Sequence, residues 1–231
     1  MPGRIALLLV LGLLVAACGA GTPSATPSPL PITTPAVAAD AVRAHVPLLD
    51  GIGPADPELV GQSASWTAER VEGGWRVTFE IGWGDCPAGC IDRHTLTWDV
   101  AADGSLTFVG ETGPPLPEDL LAERIAASTQ TGVAGRATGG PTCPVERPGD
   151  RSCAPRLVGF AGLVVQDAGG AEVARVTTDG SGYYRLPLPP GNYVLVPPAV
   201  EGFMGNPGPV AFTVAVGGET WLDLGWDTGI R

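Results

Sequence analysis

The residues best suited to chemistry in this chain are its five cysteines and two histidines. Cys86, Cys90 and His94 follow one another at four-residue intervals in a single short segment. Thiolate sulfur and imidazole nitrogen are the ligands that zinc and copper prefer in proteins. The spacing is therefore consistent with a metal-binding or redox site formed by these three residues.

The same two cysteines are also well placed for a disulfide. Pro87 and Gly89 permit a tight turn that brings the two Cα atoms within ~7 Å, the limit for bridging. A bridged pair has no thiolate left for a metal. We therefore predict a Cys86–Cys90 disulfide in a loop between two strands, with His94 on the outer face of the second strand. The metal site remains the alternative.

Cys143 and Cys153 bracket a loop rich in proline, glycine and arginine, with no histidine near them in the sequence. This pair predicts a second disulfide. If Cys18 is lipidated, all five cysteines are then accounted for and no free thiol remains. Disulfides persist outside the cytoplasm, so this cysteine usage predicts an extracytoplasmic protein.

The N-terminus has the pattern of a bacterial lipoprotein signal. A positive charge at Arg4 precedes an apolar run over residues 5–17, which is short for a bilayer span of ~20 residues. The run ends Leu-Val-Ala-Ala before Cys18, which resembles the lipobox. That resemblance implies that residues 1–17 are a signal peptide. It also implies that Cys18 carries fatty acyl chains such as palmitate, which anchor the protein to the membrane.

Residues 18–37 are rich in proline, threonine, serine and alanine. Such a composition cannot bury a core, and it predicts a linker between the lipid and the folded part. The expected location is therefore extracytoplasmic, on the cell membrane.

The overall composition excludes several functions. The net charge is −11 and lysine is absent, so Schiff-base and phosphate-loop lysines are absent too. An acidic chain is poorly suited to nucleic acid, whose binding depends on neutralising phosphates. The sequence also lacks the Gly-x-Ser-x-Gly motif of serine hydrolases. We predict no enzymatic activity, no cofactor and no nucleic-acid partner.

Residues 38–128 have the pattern of a small α+β domain. Residues 75–83 alternate strictly between large apolar and other side chains, which predicts a half-buried strand. Three further strands are predicted, and the four form an antiparallel meander; they cover residues 62–71, 75–83, 95–100 and 105–109. A helix over 117–125 is expected to cover the apolar row, and a second short helix is predicted over 36–45. The aromatic row could instead stack on sugars, but burial is the stronger prediction.

Residues 130–231 predict a β-sandwich. Turn residues such as Asp-Gly-Ser-Gly and Pro-Pro-Gly-Asn separate short alternating segments throughout this part. Seven strands are predicted, over residues 133–138, 157–166, 172–178, 183–188, 193–196, 210–216 and 220–225.

Two motifs in this part carry a family resemblance. Residues 178–184 read Thr-Asp-Gly-Ser-Gly-Tyr-Tyr, and residues 188–195 read Leu-Pro-Pro-Gly-Asn-Tyr-Val-Leu. Together they resemble the carboxypeptidase regulatory-like domain, which is a transthyretin-like sandwich. The insertion containing Cys143 and Cys153 resembles a variant of exported bacterial members. The resemblance implies an accessory or surface module without activity of its own.

The sequence therefore predicts a mainly β lipoprotein, with a small α+β antiparallel meander followed by a transthyretin-like sandwich. Its predicted function is non-enzymatic: a binding or structural module for an envelope protein or polysaccharide, attached to the membrane through Cys18. The alternative is a metal-binding or redox protein that uses Cys86, Cys90 and His94.

Overall fold

A computed structural model describes residues 31–145 and 151–231. The predicted signal peptide, Cys18 and most of the predicted linker lie outside these residues. Within the described ranges, no helix is both long enough and apolar enough to cross a bilayer. The protein is mainly β, as the sequence predicts.

Two α-helices, thirteen strands and three short 3-10 helices make up the regular structure of the described ranges. In chain order the α-helices and strands are α1 (Pro35–His45), β1 (Ala64–Val71), β2 (Gly74–Trp83), β3 (Asp92–Ala101), β4 (Leu106–Thr112), α2 (Glu118–Ala126), β5 (Gly132–Gly140), β6 (Arg156–Leu157), β7 (Gly162–Asp167), β8 (Glu172–Thr177), β9 (Tyr183–Pro187), β10 (Gly191–Val196), β11 (Val210–Val214), β12 (Glu219–Trp221) and β13 (Leu224–Asp227).

The first four strands form the predicted antiparallel meander, in the order β1-β2-β3-β4. Phe79 pairs with Trp66 on one side and with Leu96 on the other, so one face of the sheet is continuously apolar. The side chains at the centre of that face are fully buried; they are Val77, Phe79, Ile81, Leu96 and Trp98. The aromatic row of β2 is therefore core and does not form an exposed platform.

Helix α1, and not α2, covers this sheet. Ala38, Ala39 and Val42 are fully buried against it, whereas α2 buries no residue. The expectation that the helix over 117–125 performs this role is therefore wrong. Small side chains on α1 let its backbone approach the sheet closely, whereas Leu120 of α2 is only partly buried against the same core.

The N-terminal domain begins earlier than its predicted boundary at residue 38. Thr34 caps α1 by accepting a hydrogen bond from the backbone N–H of Val37, and Pro35 occupies the first turn, where its missing N–H costs nothing. Ile32 is already buried, and its N–H donates to the carbonyl of Ala102 at 3.0 Å. Ordered structure thus extends into the segment 18–37.

The C-terminal domain is a two-sheet sandwich. One sheet has the order β11-β10-β7-β8; in the other, the long strand β5 pairs with β12 and β13 on one side and with β6 and β9 on the other. Side chains from both sheets meet in one core, including Leu163 and Leu195 from the first and Tyr184 and Trp226 from the second.

Two predicted strands of this domain are each divided in the structure. The segment 157–166 breaks at Phe160, whose φ of 61° is incompatible with an extended strand. The segment 220–225 divides into β12 and β13, which both run parallel to β5. Parallel pairing depends on distant parts of the chain, so local alternation cannot reveal it.

Both predicted disulfides are present in the structure. Cys86 and Cys90 are bridged across a single 3-10 turn, with Cα atoms 3.8 Å apart. Cys143 and Cys153 are bridged with Cα atoms 5.3 Å apart, beside the start of β6.

Candidate functional site

His94 does not join the Cys86–Cys90 pair. It faces the core side of β3, so the prediction that it lies on the outer face is wrong. Its Nδ1 donates to the carbonyl of Pro114 at 3.0 Å, and its Nε2 lies 3.7 Å from a carboxylate oxygen of Glu111. Among residues 31–145 and 151–231, no group of three or more His, Cys, Asp or Glu side chains is arranged to hold a metal.

The alternation of β3 contains the signal for the position of His94. Leu96, Trp98 and Val100 face the core, and His94 is in phase with them along the strand. The imidazole therefore continues the buried row to its end, where it meets Glu111 on β4 and the carbonyl of Pro114 just after β4.

Two groups of ion pairs lie where the two domains meet. We call this region the domain junction; its charged members are Asp50, Glu111, Arg136, Arg185 and Glu219. Arg185 on β9 has a side chain only 6% exposed, and its partner Glu219 is 3% exposed. The Arg185 Nε donates to Glu219 at 2.7 Å, and its Nη2 donates to Asp50 of the N-terminal domain at 2.5 Å.

Arg185 uses its remaining donors on the same junction. Its Nη1 donates to the carbonyl of Arg43 at 3.0 Å, and its Nη2 also donates to the Ser128 hydroxyl at 2.8 Å. Burial by itself lowers the pKa of Arg185, but the bonds to Asp50 and Glu219 outweigh it and raise that pKa. One guanidinium thus connects α1, the segment after it, the interdomain connection and the sandwich.

A second ion pair crosses the junction from the edge strand β4. The Arg136 Nη2 donates to Glu111 at 2.8 Å, its Nε donates to the carbonyl of Ser181 at 3.1 Å, and its guanidinium lies 4.7 Å from the ring centroid of Tyr183. Burial by itself raises the pKa of Glu111. The nearby His94 ring and the hydrogen-bonded guanidinium of Arg136 outweigh this effect and hold that pKa at about 2.

This pair predicts an acid-dependent stability. Because the folded-state pKa of Glu111 lies below its ordinary value of 4.5, its contribution is present above pH ~4.5 and is lost as the pH falls towards 2. We expect Glu111→Gln to lower the free energy of unfolding by about 1–2 kcal/mol at pH 7, since partial exposure weakens the pair. Denaturant unfolding at several pH values measures this loss.

The difference between the wild type and Glu111→Gln should shrink as the pH falls from 4.5 to 2. Glu201→Gln, at an exposed position, serves as the matched control and should leave stability almost unchanged. A difference that stays constant over that pH range would contradict the assignment to Glu111.

Apolar contacts accompany the two ion pairs. Tyr183 belongs to the C-terminal domain, but it is buried in the core cluster of the N-terminal domain beside Trp221, with ring centroids 6.3 Å apart. A Cβ added at Gly180 would lie 3.2 Å from the Cβ of Phe108 on β4, so this turn fits closely against the meander.

The turn over residues 178–184 is therefore part of the domain junction. The Asp179 Oδ1 accepts from the backbone N–H groups of Ser181 and Tyr183, both at 2.9 Å, which fixes the turn internally. The sequence motif predicts the hairpin turn. It gives no indication that Ser181 and Tyr183 would be buried against another domain.

A polar crevice of about 340 Å³ opens beside this junction. Its charged lining residues form ion pairs with one another: Asp40 with Arg43, and Asp50 with Arg185. Thr129 and Gln130 from the interdomain connection complete the wall. The charges of the crevice are thus satisfied inside the protein, and they connect the two domains.

No family model matches the chain. No curated protein matches it either. Among solved structures, it is similar to GBS52, the minor pilin of Streptococcus agalactiae, with 15% identity and a TM-score of 0.33 over 65% of this chain and 68% of that one.

Two other solved structures have comparable similarity. The Bacillus anthracis TIE protein gives 12% identity and a TM-score of 0.32, over 73% of this chain and 27% of that one. The T6 backbone pilin of serotype M6 Streptococcus pyogenes gives 18% identity and a TM-score of 0.27, over 61% of this chain and 24% of that one. This chain therefore spans about a quarter of the length of these two. At such TM-scores, none of the three similarities carries an argument about function.

Proposed function

We propose that this protein is a lipid-anchored, non-enzymatic surface protein whose two domains act as one rigid binding module. The observation that carries the proposal is the use of its ionisable groups. Arg185, Asp50 and Glu219 form one ion-pair cluster across the domain junction, and Arg136 and Glu111 form another. Groups that could otherwise act on a substrate are engaged in holding two domains together.

A rigid connection suits a protein that binds at a distance from the membrane. Fixed domains present their surfaces in one orientation, so less conformational entropy is lost when a partner binds. The resemblance of residues 178–184 and 188–195 to the carboxypeptidase regulatory-like family supports the same proposal, because that family supplies accessory modules. An envelope protein or polysaccharide is the proposed partner.

The alternative function, a metal or redox centre at Cys86, Cys90 and His94, has less support. It requires free thiolates from a pair that is bridged, and it requires a histidine whose two ring nitrogens face Pro114 and Glu111. Reduction of the disulfide would still leave His94 on the core side of β3.

Lipid anchoring through Cys18 is the part of the proposal that is tested most directly. We expect the wild-type protein to fractionate with membranes and to incorporate a palmitate analogue. Cys18→Ala should appear in the soluble fraction or persist as an uncleaved precursor, without label. Ser24→Ala, in the predicted linker, is the matched control and should behave as wild type. A wild-type protein that is unlabelled or found in the cytosol would contradict the proposed function.

A further inference from the structure

Three large apolar side chains are strongly exposed on two neighbouring loops of the N-terminal domain. Val60 is 91% exposed, Ile91 is 74% exposed and Leu59 is 58% exposed. Single exposed apolar residues are common on protein surfaces, but a contiguous group of them marks an interaction site.

The two loops are in direct contact. A Cβ added at Gly61 would lie 2.6 Å from the backbone oxygen of Cys86, so the loop carrying Leu59 and Val60 packs against the disulfide loop. Ile91 directly follows the bridged Cys90, and its N–H donates to the carbonyl of Trp83 at 3.0 Å. We call this surface the apolar tip; it consists of residues 56–61 and 84–92.

Internal bonds hold both loops in place. Gln62 donates to the carbonyl of Pro54 and accepts from the N–H of Asp56, both at 3.0 Å, and Leu59 donates back to the carbonyl of Asp56 at 3.2 Å. The second loop is closed by its disulfide. So short a loop yields only about 2 kcal/mol of stability on the chain-entropy model. Its main effect is therefore to fix the geometry of the tip.

Four acidic residues lie within the two loops of the apolar tip or directly beside them in the chain. Asp56 and Glu58 lie on the first loop, Asp85 lies on the second, and Asp92 is the first residue of β3, directly after the second loop. Arg93, the cation adjacent to the tip in sequence, is bonded to Glu80 on the neighbouring strand. The apolar centre therefore has a negative rim, which favours a partner with basic residues around its own apolar contact.

The position of the tip also restricts its partner. Strand β2 runs ten residues from Gly74 to Trp83, which corresponds to about 30 Å. Ile32, near the start of the described range, bonds to Ala102, which in turn bonds to Gly73, so both lie at the Gly74 end of the sheet. The tip lies at the other end, beyond Trp83. The tip thus faces away from the side on which the predicted linker joins the domain.

We propose that the apolar tip is the docking surface for a protein partner that presents apolar side chains flanked by lysine or arginine. The proposal rests on the proposed function, since it names the surface through which the rigid module binds. Val60, Leu59 and Ile91 supply the apolar contact, the four carboxylates select a basic rim, and the Cys86–Cys90 disulfide preorganises the site.

Photo-crosslinking with the full-length protein in its own cells tests this proposal. The photoreactive residue p-benzoylphenylalanine is introduced by Val60→p-benzoylphenylalanine and, separately, by Ile91→p-benzoylphenylalanine. The matched control is Val216→p-benzoylphenylalanine, because Val216 is equally exposed but belongs to the C-terminal domain. We expect one discrete protein adduct from both tip positions and none from the control, with the crosslinked segment apolar and rich in basic residues.

Two further variants establish how the adduct forms. Val60→Asp should reduce the adduct from position 91 by about tenfold, because a charge replaces the exposed apolar contact. Glu58→Arg with Asp85→Arg should reduce it by a similar factor, because the rim then repels a basic partner. Both variants should unfold at the same temperature as the wild type, because the substituted positions are exposed.

Several outcomes would overturn the proposal. They are the absence of any adduct, an adduct with a second copy of this chain, an adduct with lipid, and an adduct with an acidic segment that survives both variants. If the protein still fractionates with membranes and incorporates the palmitate analogue, such a result contradicts only the proposed docking surface and leaves the proposed function standing. Loss of membrane association in the wild type would instead contradict the proposed function.

Discussion

Replacing Arg185 with methionine should lower the free energy of unfolding of the whole protein by about 3–5 kcal/mol. The guanidinium is nearly inaccessible to solvent, and it neutralises Glu219 in its own domain and Asp50 in the other. Its removal leaves Glu219 buried without a countercharge. It also removes the side chain that bonds to both domains. Chemical denaturation, followed by tryptophan fluorescence, measures the loss.

Two variants make this result specific to the domain junction. Arg175→Ala removes an equally well-formed pair with Glu172, but that pair is exposed and should contribute less than about 1 kcal/mol. Adding Glu219→Gln to Arg185→Met removes the stranded charge and should recover part of the loss. A cost below about 1 kcal/mol for Arg185→Met would show that the junction does not stabilise the protein.

Replacing Tyr183 with alanine should lower the free energy of unfolding by about 3–4 kcal/mol, in the range of other buried aromatic truncations. The ring fills a space in the core of the N-terminal domain while its backbone belongs to β9, and Arg136 lies against its face. The substitution therefore leaves a cavity between the domains. We expect the connection over residues 128–131 to become more sensitive to limited proteolysis.

Tyr193→Ala is the matched control for this effect. Tyr193 is only partly buried, and it stacks on Phe212 within the C-terminal sandwich with ring centroids 5.6 Å apart. Its loss should destabilise the sandwich without increasing cleavage in the connection. Equal cleavage in the two variants would mean that Tyr183 does not hold the domains together.

Local patterns determined much of the fold in advance. The alternation of β2 and β3 predicts the meander and its buried face, because a strand packed on one side must alternate with period two. Short segments between turn motifs predict the strands of the sandwich in the same way. The spacing of the cysteines predicts both disulfides, because each pair is close in the chain and needs only a tight loop to meet.

Tertiary structure alone decided which helix covers the sheet and how the domains meet. The small apolar residues of α1 have no strong local signature. They favour close packing only because large rings lie opposite them in the folded protein. Arg185 and Asp50 are 135 residues apart, and nothing near either one in the sequence indicates a partner. Burial of an ion pair depends on the packing of whole domains. Short-range periodicity therefore determines strands and turns, whereas the domain junction and the apolar tip arise only from long-range contacts.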